Sequence, residues 1–368
     1  MPISAEDSNE CNKTNKVLYD LQFIETNNEH YLVVSGDVGI LMYKWSQFEG
    51  AISAAMDGND ETSIPKPKKV KCQDPVSPTS SSNNITPITT FKPHTSTTFG
   101  SCVEINSTSY DKSNGILYGA AGDVFGCYQY DIASEKLLGT FGGASTGGRA
   151  GGHTDYLHVV KTIPENDGMG SRYVMTGGED GNLGFWDGKE RKLIEMMSIQ
   201  SAMNKNKHLV TSDTTSSSNR GFSSSTSWNN NASNSNNIWV SSMATNGNWL
   251  AVCGGSENNS SRSGPNSSGF MALWHLPTRT FTSGRVTRES INTVVYNHSL
   301  DSFVTGGNEG RVSFWESTSA ERSSRSWCTP PATYSLSVDP DSSSMVVGGT
   351  GGILDCFVDR VKTSQLCI

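Results

Sequence analysis

The sequence predicts an all-β fold made from a repeated unit, and three observations support this. First, 37 glycines and a hydrophobic fraction of only 34% suit many short strands joined by turns. Second, one unit recurs: an apolar strand, a second strand ending in paired small residues, a tight Gly/Asp turn, and a third strand ending in an aromatic residue. Third, the closing aromatics Trp274, Trp315 and Phe357 follow one another at intervals of 41 and 42 residues. This interval matches the ~40–45 residues of one four-stranded propeller blade.

Six copies of the unit can be recognised. The clearest are "YVMTGGEDGNLGFWD" and "SFVTGGNEGRVSFWE", in which paired glycines precede the turn. The copies lie at 31–45, 116–131, 173–187, 249–276, 302–316 and 344–359. A strand of alternating apolar and polar residues precedes each copy, and outer strands such as "ITTF" and "KLLGTF" follow several of them. We therefore predict a six-bladed β-propeller, because such blades bury both faces only by stacking on neighbours in a ring.

The propeller is predicted to be one domain over residues 17–368, behind a flexible N-terminus at 1–16. Three low-complexity insertions are predicted at 46–88, 199–237 and 256–269. They are poor in apolar residues and rich in chain-breaking or Ser/Asn residues, so we expect them to be disordered. The Arg/Ser run "RSSRSW" (322–327) is interpreted as a solvated outer loop.

The stretch from Gly151 to Asp187 contains four polar or aromatic residues whose order and spacing form a recognisable pattern. These are His153, Thr176, Asp180 and Trp186. The pattern resembles the WD40 repeat, in which these positions form a hydrogen-bonded chain from indole to hydroxyl to imidazole to carboxylate. The resemblance implies a structural tetrad that fastens loop, turn and strand together. In the other copies the set is incomplete, since Glu309 replaces the carboxylate of Asp180 and the last copy has none.

The same residues allow an alternative, a hydrolase-like Thr–His–Asp relay that activates a nucleophile. No second set of residues supplies an oxyanion hole, so we predict no catalytic residue and no enzyme activity. The eight cysteines include no C-x-x-C pair, so no metal site is predicted. The glycine-rich stretch 142–152 lacks the phosphate-loop pattern. We therefore predict no cofactor and no small-molecule substrate.

Charge and hydropathy narrow the classes of partner. The net charge is −8 and the sequence pI is about 5.4, so a globally basic nucleic-acid footprint is missing. No apolar stretch is long enough to span a bilayer, and the N-terminal residues lack a signal-peptide core. We expect an intracellular protein that binds no membrane and contacts RNA only indirectly.

A short lysine cluster lies in the first insertion. In "PKPKKVK" the cations are Lys66, Lys68, Lys69 and Lys71. Clustered lysines in an accessible segment are typical of a nuclear-import signal. The alternative is a lysine run that only keeps the linker soluble.

Longer motifs carry a more specific resemblance. "GGHTDYLH" joined to "TGGEDGNLGFWD", then "IWVSSMATNGNWLAVCGGS", "GFMALWHLPTRT" and "SFVTGGNEGRVSFW" resemble the family of THO complex subunit 6, best over about 100–315. The resemblance implies a nuclear scaffold subunit of the THO part of the transcription–export (TREX) assembly, which couples transcription and mRNA processing to mRNA export. Its partners would be other THO/TREX subunits. The family has seven blades, whereas we find six units, and the interval 46–98 is where a lost blade would stand.

A second class of function remains open. Some WD40 proteins, including plant relatives that resemble this family, are substrate receptors of cullin–RING ubiquitin ligases and present a "WDxR"-like end. Here the end reads Trp186, Asp187, Gly188, Lys189. Lysine lacks the planar bidentate fork of arginine, so the match is partial.

Overall fold

The computed structural model describes nine segments of the 368-residue chain. They are 17–37, 39–49, 85–91, 103–142, 152–163, 172–213, 237–257, 267–339 and 341–367. These residues form small sheets in which neighbouring strands are antiparallel, apart from one added strand, β13. The predicted all-β class is therefore confirmed.

The first three sheets each contain four strands. Sheet 1 consists of β1 (Leu18–Thr26), β2 (Glu29–Gly36), β3 (Gly39–Lys44) and β4 (Thr89–Phe91). Sheet 2 consists of β5 (Ile105–Asp111), β6 (Ile116–Ala121), β7 (Gly126–Asp131) and β8 (Lys136–Gly142). Sheet 3 consists of β9 (Leu157–Ile163), β10 (Tyr173–Gly178), β11 (Asn182–Asp187) and β12 (Lys192–Ser198).

The last three sheets continue the repeat, and the fourth has an extra strand. Sheet 4 consists of β13 (Val210–Ser212), β14 (Asn237–Thr245), β15 (Trp249–Glu257), β16 (Ser267–His275) and β17 (Thr280–Thr287). Sheet 5 consists of β18 (Ile291–Asn297), β19 (Ser302–Gly307), β20 (Arg311–Glu316) and β21 (Arg322–Trp327). Sheet 6 consists of β22 (Thr333–Val338), β23 (Met345–Gly349), β24 (Ile353–Val358) and β25 (Val361–Cys367). Six sheets match the six predicted units.

Four sequence-based interpretations are corrected by the structure. Residues 322–327 are the outer strand β21, not a loop, because they pair antiparallel with β20 along their whole length. The predicted insertion at 199–237 begins later, since a helix (Ile199–Lys205), a 3₁₀ turn (Lys207–Leu209) and β13 are folded. The helix forms because Ile199 and Met203 are one turn apart and both enter the apolar core. The predicted insertions at 46–88 and 256–269 are likewise shorter than expected. Residues 45–49 are helical, residues 85–88 lead into β4, β15 extends to residue 257, and β16 begins at residue 267.

The core is divided among the interfaces between successive sheets. Five clusters of buried apolar side chains occupy the interfaces 1–2, 2–3, 3–4, 4–5 and 5–6. At interface 5–6, for example, Phe314 of sheet 5 packs with Val347 and Phe357 of sheet 6. Each sheet therefore buries a face only because the next sheet covers it.

The ring is not closed in the same way between sheets 6 and 1. The inner strands β1, β5, β9, β14, β18 and β22 pack in that order. Within the described segments, β22 and β1 do not pack against each other as those neighbours do, and no apolar cluster joins their sheets. Both strands nevertheless border the same central cavity of about 360 Å³. Among the residues that the structure describes, sheets 6 and 1 thus each keep one face that no neighbouring sheet covers.

The paired glycines have a steric explanation. In sheet 6, a Cβ on Gly349 would lie 1.9 Å from the carbonyl oxygen of Ala332, just before the inner strand. Corresponding clashes with a carbonyl in, or just before, the inner strand would arise at Gly36, Gly178, Gly254 and Gly307. The second strand of these sheets therefore requires glycine, because its backbone lies against that of the inner strand.

We expect Gly349→Ala to lower the free energy of unfolding by about 2–3 kcal/mol, because the added methyl group meets rigid backbone. Gly348→Ala is a matched control in the same strand. Its Cβ would meet side chains and no backbone, with the Leu354 side chain at 3.1 Å and Cβ of Ser335 at 4.0 Å. Urea unfolding of both variants measures the difference, and equal losses would refute the steric explanation.

Candidate functional site

The four residues singled out by the sequence lie in one sheet on different local elements. His153 lies in the loop before β9, Thr176 on β10, Asp180 in the turn between β10 and β11, and Trp186 on β11. The turn suits this task because Gly181 has a φ of 65°, in the left-handed region that glycine adopts without strain. The structure brings all four side chains together.

The side chains form one continuous chain of hydrogen bonds. The indole N–H of Trp186 donates to Oγ1 of Thr176 at 2.7 Å. Oγ1 of Thr176 lies 2.8 Å from Nε2 of His153, and Nδ1 of His153 lies 3.0 Å from both carboxylate oxygens of Asp180. An ionised carboxylate only accepts, so Nδ1 carries the proton and Nε2 accepts from the hydroxyl.

Asp180 also holds the backbone around it. Its Oδ2 accepts the N–H of Thr154 and its Oδ1 accepts the N–H of Asn182, each at 3.1 Å. Burial raises the pKa of Asp180, but the hydrogen bond from His153, the electrostatic attraction to it and the two backbone N–H groups hold the pKa below its usual value. Ionised Asp180 therefore joins the loop before β9 to the turn between β10 and β11.

The space for this chain depends on a residue that sequence reasoning missed. A Cβ on Gly184 would lie 2.4 Å from the indole nitrogen of Trp186 and 2.6 Å from Oγ1 of Thr176. Gly184 pairs with Thr176 across β10 and β11. The signal was present in "NLGFWD", where a glycine interrupts an otherwise apolar strand, a feature typical of close approach.

The geometry favours fastening over catalysis. Thr176 is 1% exposed and Trp186 is 2% exposed, so the hydroxyl has no route to a substrate. The hydroxyl is engaged on both sides, by the indole and by the imidazole. Trp186 also packs on Phe141 of sheet 2, with ring centroids 5.2 Å apart. The hydrogen-bonded chain thus ends in the apolar interface between two blades.

Sheet 5 retains half of the arrangement. The indole of Trp315 donates to Oγ1 of Thr305 at 2.8 Å, as in sheet 3. Ile291 pairs with Gly307 in sheet 5, as Leu157 pairs with Gly178 in sheet 3. Thr287 and His153 each lie four residues before these paired residues, so Thr287 occupies in sheet 5 the position of His153 in sheet 3. A cavity of about 20 Å³ lies beside Thr305 and Trp315. Glu309 faces Arg325 instead, with 3.5 Å between their charged atoms.

The carboxylate of Asp187 in the "WDGK" end is hydrogen-bonded by residues of the same blade. Asp187 accepts two hydrogen bonds from Arg172, at 2.9 and 2.8 Å. Its other oxygen accepts the backbone N–H groups of Lys189 and Glu190. The carboxylate therefore closes the turn to β12 and ties it to the start of β10.

The central cavity is polar and contains few charges. Its lining includes Asp20 of β1, His158 and Lys161 of β9, and several Ser, Thr and Asn side chains of the inner strands. Asp20 accepts the N–H and hydroxyl of Thr108 at 2.6 and 2.9 Å. Burial lowers the pKa of Lys161, and the charge of Asp20 acts in the opposite direction. Nε2 of His158 lies 3.4 Å from a carboxylate oxygen of Glu179.

The remaining sequence features concern the lysine cluster, metal binding, membrane-spanning helices and the cysteines. Lys66, Lys68, Lys69 and Lys71 lie outside the described residues. Within the described segments, no group of three or more His, Cys, Asp or Glu side chains could hold a metal ion. In the same segments, no helix is long and apolar enough to cross a bilayer. Burial raises the pKa of Cys253 to about 12, so this thiol is inert.

Sequence comparison with known proteins supports the family resemblance. No protein-family model matches the chain. The chain is similar to THO complex subunit 6 of Arabidopsis thaliana, with 27% identity over 254 residues. The matched region covers 68% of this chain and 52% of the plant protein, so the chain spans about half the length of that relative. The predicted resemblance to a THO complex subunit 6-like WD40 protein is thereby confirmed.

We expect Asp180→Asn to lower the free energy of unfolding by about 1–3 kcal/mol, because one accepting oxygen becomes an NH₂ group that faces an N–H donor. Urea unfolding at pH 7 measures the loss. Asp341→Asn, in an exposed turn, is the matched control and should change little. Unchanged stability of Asp180→Asn would show that the hydrogen-bonded chain does not fasten the sheet.

The stabilisation by Asp180 should depend on pH in one direction. Because its pKa is lower in the folded state, the carboxylate stabilises the fold fully above the unfolded-state pKa, about 3.9. The stabilisation is lost as the pH falls through the folded-state value. The difference in urea midpoint between wild type and Asp180→Asn should therefore be largest at pH 5 and shrink towards pH 3. A difference that grows on acidification would contradict this assignment.

Proposed function

We propose that the chain is a non-enzymatic scaffold subunit of a THO-like complex in the nucleus, where it helps to couple transcription and mRNA processing to mRNA export. The observation that carries this proposal is the pair of uncovered apolar sheet faces at the break in the ring. The name of the similar plant protein indicates which assembly would cover them.

The face of sheet 1 at the break is apolar, and it is exposed along β1. Leu21 and Phe23 of β1 are 55% and 58% exposed. Leu21 pairs with Val34, and Phe23 pairs with Leu32, so these side chains share one face. On β2 this face is covered, since Val34 and Leu32 are 6% and 7% exposed. Phe23 also packs edge-on against Trp45 of the following helix, with ring centroids 4.9 Å apart. The opposite face carries Ile24, which is buried against sheet 2. Sheet 1 therefore has the composition of an interior blade on both sides.

The uncovered face of sheet 6 has the same character. Its residues are Val346, Leu354, Cys356, Val358, Val361 and Leu366, which the strand register places on one side. Val361 and Leu366 are 63% and 59% exposed. Met345, Val347 and Phe357 lie on the other side, buried against sheet 5.

An apolar protein segment is the occupant that these faces favour. Exposed apolar side chains that lie on one face mark a protein interface more often than a free surface. Burying one such side chain contributes about 1.5–3 kcal/mol, so a few anchors suffice for stable docking. We propose that another subunit of the complex provides the covering segment. The net charge of −8 favours contact with RNA through such partners.

Two alternatives receive less support. An enzyme would need a reactive group within reach of a substrate, whereas the hydroxyl of Thr176 is enclosed. A cullin–RING substrate receptor would present the "WDGK" end, but Asp187 is engaged by Arg172 and by its own turn.

Affinity purification from nuclear extract, followed by mass spectrometry, tests the proposal. The wild-type chain should recover the other THO subunits in stoichiometric amounts. Phe23→Glu and Leu366→Glu should each weaken this association by about 2 kcal/mol or more, because each places a charge in an apolar interface. Ile194→Glu is the matched control, since Ile194 is 41% exposed on β12, away from the break.

The outcomes separate the parts of the proposal. If the wild type recovers no THO subunit, or only a cullin adaptor, the scaffold function is wrong. If all three variants recover the subunits as the wild type does, the function stands and the assigned face is wrong. Equal thermal stability of the three variants would show that losses reflect binding.

A further inference from the structure

The strand β13 does not belong to the blade repeat. It pairs in parallel with β17 at the outer edge of sheet 4, with Val210, Thr211 and Ser212 opposite Gly284, Arg285 and Val286. Other neighbouring strands in the described sheets are antiparallel. The pairing covers three residues, and parallel pairing is slightly weaker per residue than antiparallel pairing. Backbone pairing alone therefore holds this segment weakly.

The residue after β13 supplies a stronger attachment. The N–H of Asp213 donates to the carbonyl of Val286 at 3.1 Å. Oδ1 of Asp213 accepts from Nε of Arg285 at 2.6 Å, and Oδ2 accepts from Arg325 at 2.8 Å and from Arg322. The side chain of Asp213 is only 6% exposed. One carboxylate thus fills a pocket formed by three arginines.

The three arginines come from two adjoining blades. Arg285 lies on β17 of sheet 4, whereas Arg322 and Arg325 lie on β21 of sheet 5. Arg322 also lies over the ring of Trp315, with its guanidinium carbon 5.2 Å from the centroid. Glu309 faces Arg325 at 3.5 Å. The neighbouring side chains therefore hold two of the arginines in place without help from Asp213.

The pocket offers more positive charge and more donors than Asp213 uses. Three guanidinium groups face the carboxylates of Asp213 and Glu309, which leaves one excess positive charge, and two if Asp213 leaves. Nε of Arg325 is shielded from solvent and has no hydrogen-bond partner among the described residues. Converging arginines of this kind repel one another unless an anion lies between them. Planar guanidinium groups match the geometry of a carboxylate.

We propose that the outer edge of β17, together with Arg285, Arg322 and Arg325, is a docking site for an extended acidic segment of a partner protein. Residues Val210–Asp213 occupy this site in cis. A partner would add a short strand to β17 and place a carboxylate between the arginines, as the chain's own segment does. The site lies on the outer rim at sheets 4 and 5, so it is independent of the uncovered faces of sheets 1 and 6 and of the proposed function.

The test uses the full-length chain and a fluorescent peptide of residues 207–216, measured by fluorescence anisotropy. The double variant Thr211→Pro/Asp213→Ala should open the site, because proline removes a backbone donor and alanine removes the carboxylate. We expect the peptide to bind this variant at least about tenfold more tightly than the wild type, whose site is occupied. A peptide carrying Asp213→Asn should lose at least about tenfold in affinity, since it lacks the charge.

Further measurements keep the result decisive if the double variant folds poorly. Asp213→Asn alone retains β13 and nearly the same side-chain shape, and it should also bind the wild-type peptide more tightly than the unaltered chain does. The wild-type peptide, but not its Asn form, should raise the Tm of both variants. Binding should weaken as NaCl is increased. If neither variant binds the peptide, or if binding does not depend on the peptide's aspartate, the proposal is wrong.

Discussion

The sheets of this protein have apolar faces, and each such face needs a neighbouring sheet or another apolar element to cover it. This constraint explains why the core consists of separate clusters at successive interfaces, and why no single sheet would be stable alone. It also makes the break between sheets 6 and 1 informative. There the same chemistry that stabilises every other interface is left facing outwards.

Side-chain hydrogen bonds add to this apolar packing in some of the sheets. In sheet 3, His153 and Asp180 tie the loop before β9 to the turn after β10, and Trp186 carries that connection into the apolar interface with sheet 2. Sheet 5 keeps the Trp315–Thr305 hydrogen bond without the imidazole, and relies on apolar packing around Trp315. One fully connected polar network is compatible with a stable core, whereas a partly satisfied network at every blade would be costly.

The sequence predicts much of this architecture because the determinants are local and periodic. The 41- and 42-residue spacing of closing aromatics predicted the blades, and "GGHTD" with "GGEDG" predicted which side chains would meet. Strand β21 was missed because "RSSRSW" is polar, and an outer strand needs little apolar pattern when its pairing with β20 defines it. The role of Asp213 was missed because its three arginines are between 72 and 112 residues away in the chain. The open faces of sheets 1 and 6 were also not predicted, since the sequences of their strands resemble those of covered blades.

The position of β13 sets a limit on the insertion that follows it. The chain leaves the outer rim of sheet 4 at Asp213 and returns at β14, the innermost strand of the same sheet. Four strand spacings separate those points, a distance of at least ~19 Å. An extended chain advances ~3.3–3.6 Å per residue, so about six residues are the minimum that can bridge this width. The 23 residues at 214–236 exceed that minimum severalfold, so the tract can shorten considerably during evolution before it pulls Asp213 out of its arginine pocket.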